Sequence, residues 1–317
     1  MTTHPSSPQP VSVLRRWDAE QVRQLREAGN FVWLDLQDAP DQDVREAGQL
    51  FGLHPLAIED ALHREQRPKL DEYEDHVFLV VFGMKRSGIP YEVHVAVHGD
   101  WMLSVRRGPM SSLDALVERL GPVCTLGESS LVHGLVDTLV DSFTPALERL
   151  EGQLDELQVS ALRGPSGADP SGILELHRTI ADMRRVAGPQ RDLIARATNA
   201  LHALPGLEGA EEAYFRDVHD HATRVAEEVE EHRELLASVV TLHMSAVANR
   251  QNEVMKQLTL MSAVFLPLTF ITGFFGQNFG WMVDNVDTRT DFVVWGLGGV
   301  LAAVICTVMW FRRRTLL

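Results

Sequence analysis

Two apolar spans in the last 60 residues constrain this chain more than any other feature. They run roughly from Leu258 to Phe275 and from Phe292 to Phe311, and neither contains a charged residue. Each span is long enough to cross a hydrocarbon core about 30 Å thick, at about 1.5 Å per helical residue. A charge at the bilayer centre would be costly. The sequence therefore predicts a membrane protein with two transmembrane helices, residues 258–275 and 292–311.

The basic residues around the spans predict their orientation. Arg250 and Lys256 precede the first span, and the basic tail 312–317, which begins with three arginines, follows the second. The connecting segment, residues 276–291, contains a single basic residue, Arg289. Because basic flanks stay in the cytoplasm, we expect both termini to be cytoplasmic and residues 276–291 to lie outside the plasma (inner) membrane.

The composition excludes several classes of protein. The formal charge of −15 and the absence of a basic run outside the C-terminus argue against a nucleic-acid partner. The same charge attracts cations, although it also serves simply to keep a domain soluble. Two cysteines, Cys124 and Cys306, provide no disulfide framework. Because the nucleotide-binding and zinc-protease motifs GxxxxGK[ST], GxGxxG and HExxH are missing, we expect neither a nucleotide site nor an enzyme.

The rest of the chain divides by its periodicity. Residues 1–15 are predicted to be a flexible tail, and residues 16–125 a mixed α/β cytosolic domain. In that domain, short helical patterns at 19–28, 41–51 and 55–62 accompany strand patterns at 31–36, 77–84, 91–97 and 101–106. Residues 126–205 predict a helical hairpin, broken at the Gly-Pro-Ser-Gly sequence 164–167.

Residues 206–275 predict one continuous stalk helix that starts in water and becomes the first transmembrane helix. At about 1.5 Å per residue it would be about 100 Å long. An isolated helix of this length is not stable, so it needs the hairpin or copies of itself as partners.

A seam of residues spaced three or four apart runs along the membrane half of this helix. The seam mixes small or polar side chains with Met and Leu, which suits close helix contact and also suits a pore wall with hydrophobic constrictions. Periodicity alone favours helix contact. The seam consists of Asn252, Met255, Leu258, Ser262, Leu266, Thr269 and Gly273.

Several motifs together resemble the CorA family of divalent-cation transporters. The sequences LHPLAIED at 53–60 and PK…EYE at 68–74 are similar to the family's N-terminal domain. The sequences YFRDV at 214–218, NEVMK at 252–256 and FLPLTF at 265–270 are similar to its stalk and first membrane helix. The resemblance extends from about Phe31 to the C-terminus. It implies an α+β cytosolic domain in α/β/α layers, a long stalk helix and a two-helix membrane segment.

The resemblance also implies a homopentamer whose first membrane helices line a central pore. The seam residues would then line the pore, with Met255, Leu258 and Leu266 as hydrophobic gates. Gly276-Gln277-Asn278 stands where the family has Gly-Met-Asn, and would form the selectivity filter. Gln277 departs from that signature, as does the family's zinc-transporting branch. The transported ion is therefore expected to be Mg²⁺, with Co²⁺, Ni²⁺ or Zn²⁺ as alternatives.

A ring of Asn278 amides would suit a hydrated divalent ion. Mg²⁺ holds its waters tightly, and side-chain carbonyls can accept hydrogen bonds from them. The simpler alternative for Asn278 is a helix C-cap, while Gln277 would either add a second amide or bond to a neighbouring subunit.

A second candidate cation site lies on the stalk, where Asp217, Asp220 and His221 are close in sequence. Asp and His at this spacing can bind a metal, but they are more often a solvated helix face. By resemblance, Asp217 stands for a family aspartate that helps to bind regulatory Mg²⁺ between subunits. We expect a gated channel driven by the membrane potential; a membrane-anchored sensor or scaffold is the alternative from another class.

Overall fold

A computed structural model describes residues 10–124, 128–162, 169–204, 212–277, 280–285 and 288–313. The chain divides into two compact units, Met1–Thr241 and Leu242–Leu317. The first unit holds a seven-stranded sheet with helices packed against it. The second holds the apolar spans.

The sheet of the first unit is mixed, with strand order β3-β4-β5-β6-β2-β1-β7. The β1/β2 and β2/β6 pairs are parallel and the other pairs are antiparallel. β4 and β6 are buried along their whole length, so helices cover both faces of the sheet. The strands are β1 (Val11–Leu14), β2 (Phe31–Gln37), β3 (Lys69–Glu72), β4 (Val77–Met84), β5 (Pro90–Val97), β6 (Trp101–Arg106) and β7 (Val123–Cys124).

The helices of the first unit supply the outer layers. α1 packs on β2, α5 packs on β4, and α7 packs across β3, β4 and β5. The predicted α/β/α layering is therefore confirmed. The helices are α1 (Ala19–Glu27), α2 (Asp41–Phe51), α3 (Pro55–Leu62), α4 (Ser111–Leu120), α5 (Glu128–Asp141), α6 (Thr144–Leu162), α7 (Pro170–His202) and the start of α8 (Glu212–Phe275).

Side chains from the helical layer complete the edge of β4 beyond the short strand β3. The buried Gln190 of α7 accepts from the Phe82 N–H at 2.6 Å and donates to the Phe82 carbonyl at 2.8 Å. Ser142, after α5, accepts from the Met84 N–H at 2.7 Å. A Cβ on Gly83 would lie 2.9 Å from the Ser142 hydroxyl oxygen, so only glycine allows this close approach. These bonds satisfy backbone groups that burial would otherwise leave unpaired.

Two expectations for the cytosolic part need correction. Residues 1–9 of the predicted flexible tail lie outside the described residues, but Val11–Leu14 forms β1 and pairs with both β2 and β7. Val11 and Val13 are buried, which a loose tail cannot achieve. The first predicted hairpin helix is in fact two helices, α5 and α6, separated at Ser142 and Phe143. Pro145 in the first turn of α6 lacks the N–H that a continuous helix would use.

The second unit consists of the membrane half of α8, the short helix α9 (Gly280–Asn285) and a final helical stretch. That stretch comprises α10 (Arg289–Asp291), a π-helical turn (Phe292–Leu297) and α11 (Gly298–Arg313). Two helices in the described chain are long and apolar enough to cross a membrane. The second of them starts at Arg289, three residues before the predicted span.

Candidate functional site

The predicted seam lies on α8, an unbroken helix of 64 residues. All seven seam residues are exposed in the single chain, and Leu266 is 74% exposed. Exposed apolar residues in such numbers need lipid or another copy of the chain as a partner. The Thr269 hydroxyl donates to the Phe265 carbonyl at 2.8 Å, which leaves its lone pairs available to accept hydrogen bonds. Hydroxyl oxygens that accept hydrogen bonds suit a hydrated cation, because the waters around the ion donate hydrogen bonds.

The predicted filter follows the end of α8. Gly276 donates to the Thr272 carbonyl at 2.9 Å and Gln277 to the Phe274 carbonyl at 3.3 Å, which closes the helix. A Cβ on Gly276 would lie only 3.1 Å from the Thr272 carbonyl oxygen, so the tight helix end favours glycine. The Gln277 side chain is exposed. Asn278 lies outside the described residues, and its predicted role in the filter stays a prediction.

Four acidic or imidazole side chains meet between α5 and α8, within the first unit. Asp137 and Asp141 lie one turn apart on α5, and Asp217 and His221 lie one turn apart on α8. The ligand atoms of Asp137, Asp141 and His221 lie within 4.8 Å of one another. We refer to Asp137, Asp141, Asp217 and His221 as the acidic cluster.

The imidazole of His221 occupies the middle of the acidic cluster. Its Nδ1 lies 3.6 Å from an oxygen of Asp141 and 3.9 Å from an oxygen of Asp137. Its Nε2 lies 3.9 Å from an oxygen of Asp217. These separations are longer than hydrogen bonds, so the four groups are close without satisfying one another. The acidic cluster therefore places three carboxylates around one imidazole, that of His221.

The pKa of Asp137 reflects the charges that surround it in the acidic cluster. Burial raises the pKa of the Asp137 carboxyl above its usual value, and the charge of Asp141 raises it further. His133 and His221 act in the opposite direction. A carboxyl whose ionisation is disfavoured by its surroundings gains from a cation that neutralises them. A cation bound among these groups would therefore reduce the repulsion between the Asp137 and Asp141 carboxylates.

The donor set indicates which cations fit. Three carboxylates suit the hard ion Mg²⁺, which prefers oxygen ligands and usually keeps several waters. The imidazole adds a ligand that first-row transition metals and Zn²⁺ prefer. Metal binding must displace protons from these groups, so the affinity falls in acid.

Of the stalk residues singled out from sequence, the structure brings together Asp217 and His221. Asp220 lies on another side of α8, where its carboxylate is 3.8 Å from the ring of His219. Sequence reasoning missed Asp137 and Asp141, the partners from α5. Their signal was present: they are acidic residues one turn apart in a helix whose neighbouring positions Leu135 and Leu139 are fully buried.

Comparison with known proteins gives a consistent result. Residues 28–313 match the family model described as CorA-like Mg²⁺ transporter protein. The cobalt/magnesium transport protein CorA of Thermotoga maritima is 29% identical over 307 residues, which cover 94% of this chain and 86% of the relative. The zinc transport protein ZntB of Yersinia pseudotuberculosis is 24% identical, covering 89% of this chain and 86% of the relative.

A solved structure shares the fold along nearly the whole chain. The complete structure of the CorA magnesium transporter from Methanocaldococcus jannaschii superposes with a TM-score of 0.76 at 21% identity. The match covers 89% of this chain and 90% of that one. This likeness confirms the predicted order of structural parts: a mixed α/β domain, then a long helix, then a two-helix apolar segment.

Proposed function

Since this chain belongs to the CorA-like Mg²⁺ transporter family, we propose that it forms a gated channel that carries divalent cations, above all Mg²⁺, into the cell. Members of this family are membrane transporters and not enzymes. One observation carries the proposal: Asp217 and His221 of the acidic cluster lie on the same unbroken helix as the first apolar span. A cation that moves this helix acts directly on the wall of the proposed pore.

The pore in this proposal is built by copies of the chain around an axis. We propose a homopentamer in which the exposed seam of α8 faces the axis, since symmetry closes such a ring and buries its apolar positions. Met255 and Leu258 narrow the pore as hydrophobic gates, and Ser262 and Thr269 supply polar rungs. The basic flanks of the spans support cytoplasmic termini.

The proposed filter lies at the outer end of α8. In this proposal Gln277 and Asn278 supply side-chain amides after the helix end at Gly276, and amides bind a hydrated cation less tightly than carboxylates do. A filter must bind the ion strongly enough to admit it and weakly enough to release it. A ring of amides meets both conditions for an ion that keeps its waters.

Transport needs no chemical energy source in this proposal. A charge of +2 entering a cell at about −100 mV gains about 4.6 kcal/mol, at about 2.3 kcal/mol per elementary charge. That free energy would accumulate the ion roughly a thousandfold, because each 1.4 kcal/mol corresponds to about a factor of ten. A passive pathway of this strength requires a mechanism that closes it.

The acidic cluster supplies that mechanism. Intracellular Mg²⁺ screens the three carboxylates and stabilises the closed arrangement, and its loss leaves like charges that repel one another. Since the ion binds the closed state preferentially, its concentration sets the population of open channels. The cell's own Mg²⁺ thus limits further uptake.

Zn²⁺ transport is the second candidate. It is supported by Gln277 in place of the family's methionine and by the imidazole in the acidic cluster. The deciding experiment is a flux panel in proteoliposomes with Mg²⁺, Co²⁺, Ni²⁺ and Zn²⁺, each with and without a proton gradient. Potential-driven Mg²⁺ uptake that ignores the proton gradient supports the first proposal. Uptake of Zn²⁺ alone, coupled to protons, supports the second.

A further inference from the structure

Helix α3 begins at a histidine that the proposed function does not use. The motif LHPLAIED at 53–60 forms most of this helix, with His54 as its N-cap and Pro55 in its first turn. The first N–H groups of a helix have no partner within the helix, and a side-chain acceptor at the N-cap satisfies one of them. The Nδ1 of His54 is this acceptor, at 3.2 Å from the Leu56 nitrogen. An imidazole is an unusual cap, because Asn, Asp, Ser and Thr predominate at this position.

A second imidazole accepts the backbone N–H of His54 itself. His76, in the turn between β3 and β4, is buried, and its Nε2 accepts from the His54 N–H at 3.5 Å, the longer of the two bonds. Because Nε2 accepts, Nδ1 carries the ring proton and donates to Asp75 at 2.6 Å. The Tyr73 ring stacks on His54 with centroids 4.8 Å apart and on His76 with centroids 4.7 Å apart. Both N–H groups at the start of α3 therefore depend on unprotonated ring nitrogens.

Protonation of the two imidazoles removes both acceptors. Histidine is the side chain that ordinarily gains a proton between about pH 8 and pH 5. A protonated imidazole has two donors and no acceptor. A proton on His54 Nδ1 would face the Leu56 N–H and the positive end of the helix dipole, and both interactions are repulsive. A proton on His76 Nε2 would face the His54 N–H in the same way.

The charges around the two imidazoles differ. A charge on His76 would be compensated by Asp75, and the hydrogen bond from His76 keeps the pKa of Asp75 below its usual value. His98, in the turn between β5 and β6, is likewise bonded to a carboxylate, that of Asp100. No carboxylate in the described part of the chain lies within ion-pair distance of the His54 ring. Protonation of His54 is therefore the event that no neighbour compensates.

The remaining charged groups near α3 do not replace the missing counterion. Residues 48–51, the last turn of α2, are uncharged. Glu59 and Asp60 lie beyond the first turn of α3, and Asp60 is paired with Lys69 at 2.5 Å. His63 lies at the opposite end of the helix, where its Nδ1 donates to the Glu59 carbonyl at 2.8 Å. A positive charge is favourable at that end, so the two histidines of α3 respond to acid in opposite directions.

We propose that the start of α3 is an acid-sensitive cap, which His54 and His76 hold at neutral pH and release when their imidazoles are protonated. The stability that the cap provides is present at neutral pH and is lost as pH falls through the range in which imidazoles titrate. Ile58 lies in the next turn and packs on α2, where a Cβ on Gly48 would lie 2.8 Å from the Ile58 side chain. Loosening the first turn of α3 therefore loosens its contact with α2.

The test is hydrogen–deuterium exchange by mass spectrometry on the full-length protein in nanodiscs, at about pH 7.5 and about pH 5.5. Chelator is present, so that metal binding does not change with pH. Protection factors, which correct for the effect of pH on intrinsic exchange, are compared for residues 53–62 and 18–28. The second segment holds α1, the matched control: the Asp18 carboxylate caps it by accepting from the Glu20 and Gln21 N–H groups at 3.0 Å. Aspartate ordinarily does not titrate in this range.

We expect the protection of 53–62 in wild type to fall about fivefold in acid, as is typical for the loss of one N-cap, while 18–28 is unchanged. His54 is exposed, so solvent screens its charge and the lost cap is the main effect. His54→Asn keeps a side-chain acceptor that does not titrate, and should lose most of the acid response. His63→Asn, the matched histidine control, should respond as wild type does.

His54→Ala separates the loss of the cap from other effects of acid. It has no acceptor at either pH, so residues 53–62 should already exchange faster than in wild type at neutral pH, with little further change in acid. An acid response in His54→Asn as large as in wild type would overturn the proposal. So would a wild-type segment 53–62 that loses no more protection in acid than the α1 segment does.

Discussion

Replacing Asp137 by Asn removes one negative charge from the acidic cluster without changing the size of the side chain. Because burial and Asp141 raise the pKa of Asp137, its ionised form destabilises the metal-free protein. The stability that protonated Asp137 provides is present at low pH and is lost as pH rises through its folded-state pKa. At neutral pH and without metal, we therefore expect Asp137→Asn to be more stable than wild type.

The size of this gain follows from the separation of the charges. Two carboxylate oxygens at the 4.8 Å limit of the cluster repel by about 3.5 kcal/mol at an effective dielectric of about 20, and by about 0.9 kcal/mol in water. Asp141 is largely exposed, so the value lies near the lower figure, at about 1 kcal/mol. For a unit of this size that corresponds to about 2–4 °C in Tm.

Magnesium should reverse the order of the two proteins. At a concentration one hundred times its Kd, a ligand stabilises the folded state by about 2.7 kcal/mol, or about 5–10 °C here. If Asp137→Asn weakens the Kd a hundredfold, the same concentration gives the variant only about 0.4 kcal/mol. Wild type should thus melt below the variant in chelator and above it in Mg²⁺.

The assay is tryptophan-fluorescence melting of the full-length protein in nanodiscs, with chelator or Mg²⁺, at neutral and acid pH. Asp220→Asn is the matched control, because Asp220 is an exposed aspartate of α8 outside the acidic cluster. We expect this control to follow wild type. A variant at Asp137 that is less stable than wild type in chelator, or that gains as much from Mg²⁺, would refute the reasoning.

Three further predictions concern the filter and the core. Asn278→Ala should abolish uptake and leave the proposed pentamer intact by native mass spectrometry, since it removes the proposed filter amide; normal flux would show that Asn278 is not part of the filter. Gln277→Met should raise the Mg²⁺:Zn²⁺ flux ratio in proteoliposomes. An unchanged ratio would show that Gln277 does not determine which ion is transported. Gln190→Leu leaves the N–H and carbonyl of Phe82 buried and unpaired, which should cost about 3 kcal/mol in denaturant unfolding, at 1–3 kcal/mol per group. The exposed Gln24→Leu should cost little, and equal losses would contradict the edge-completion role of Gln190.

The sequence predicted most elements of the cytosolic domain because their patterns are strong. The run Val77–Met84 is continuously apolar, as a strand buried on both faces must be, and α3 begins with a proline in its first turn. β1 was missed for a physical reason: it is four residues long, and its pairing with β2 and β7 is decided by tertiary packing. The break between α5 and α6 falls at Ser142 and Phe143, and the hydrogen bond from the Met84 N–H to the Ser142 hydroxyl joins two parts of the chain that no local pattern connects.

Only the two members of the acidic cluster that lie on α8 were predicted from the sequence. Asp217 and His221 share a helix face, which sequence spacing gives directly. Their partners on α5 lie about 80 residues earlier in the chain, and no local pattern connects two helices across such a distance.

The most direct test of gated Mg²⁺ uptake measures flux into proteoliposomes at a fixed, inside-negative potential while internal Mg²⁺ is varied. Gating through the acidic cluster predicts that wild-type uptake falls as internal Mg²⁺ rises. Asp217→Asn, which removes one charged ligand, should shift the midpoint to higher internal Mg²⁺. Uptake that does not respond to internal Mg²⁺, or identical midpoints for the two proteins, would contradict the account.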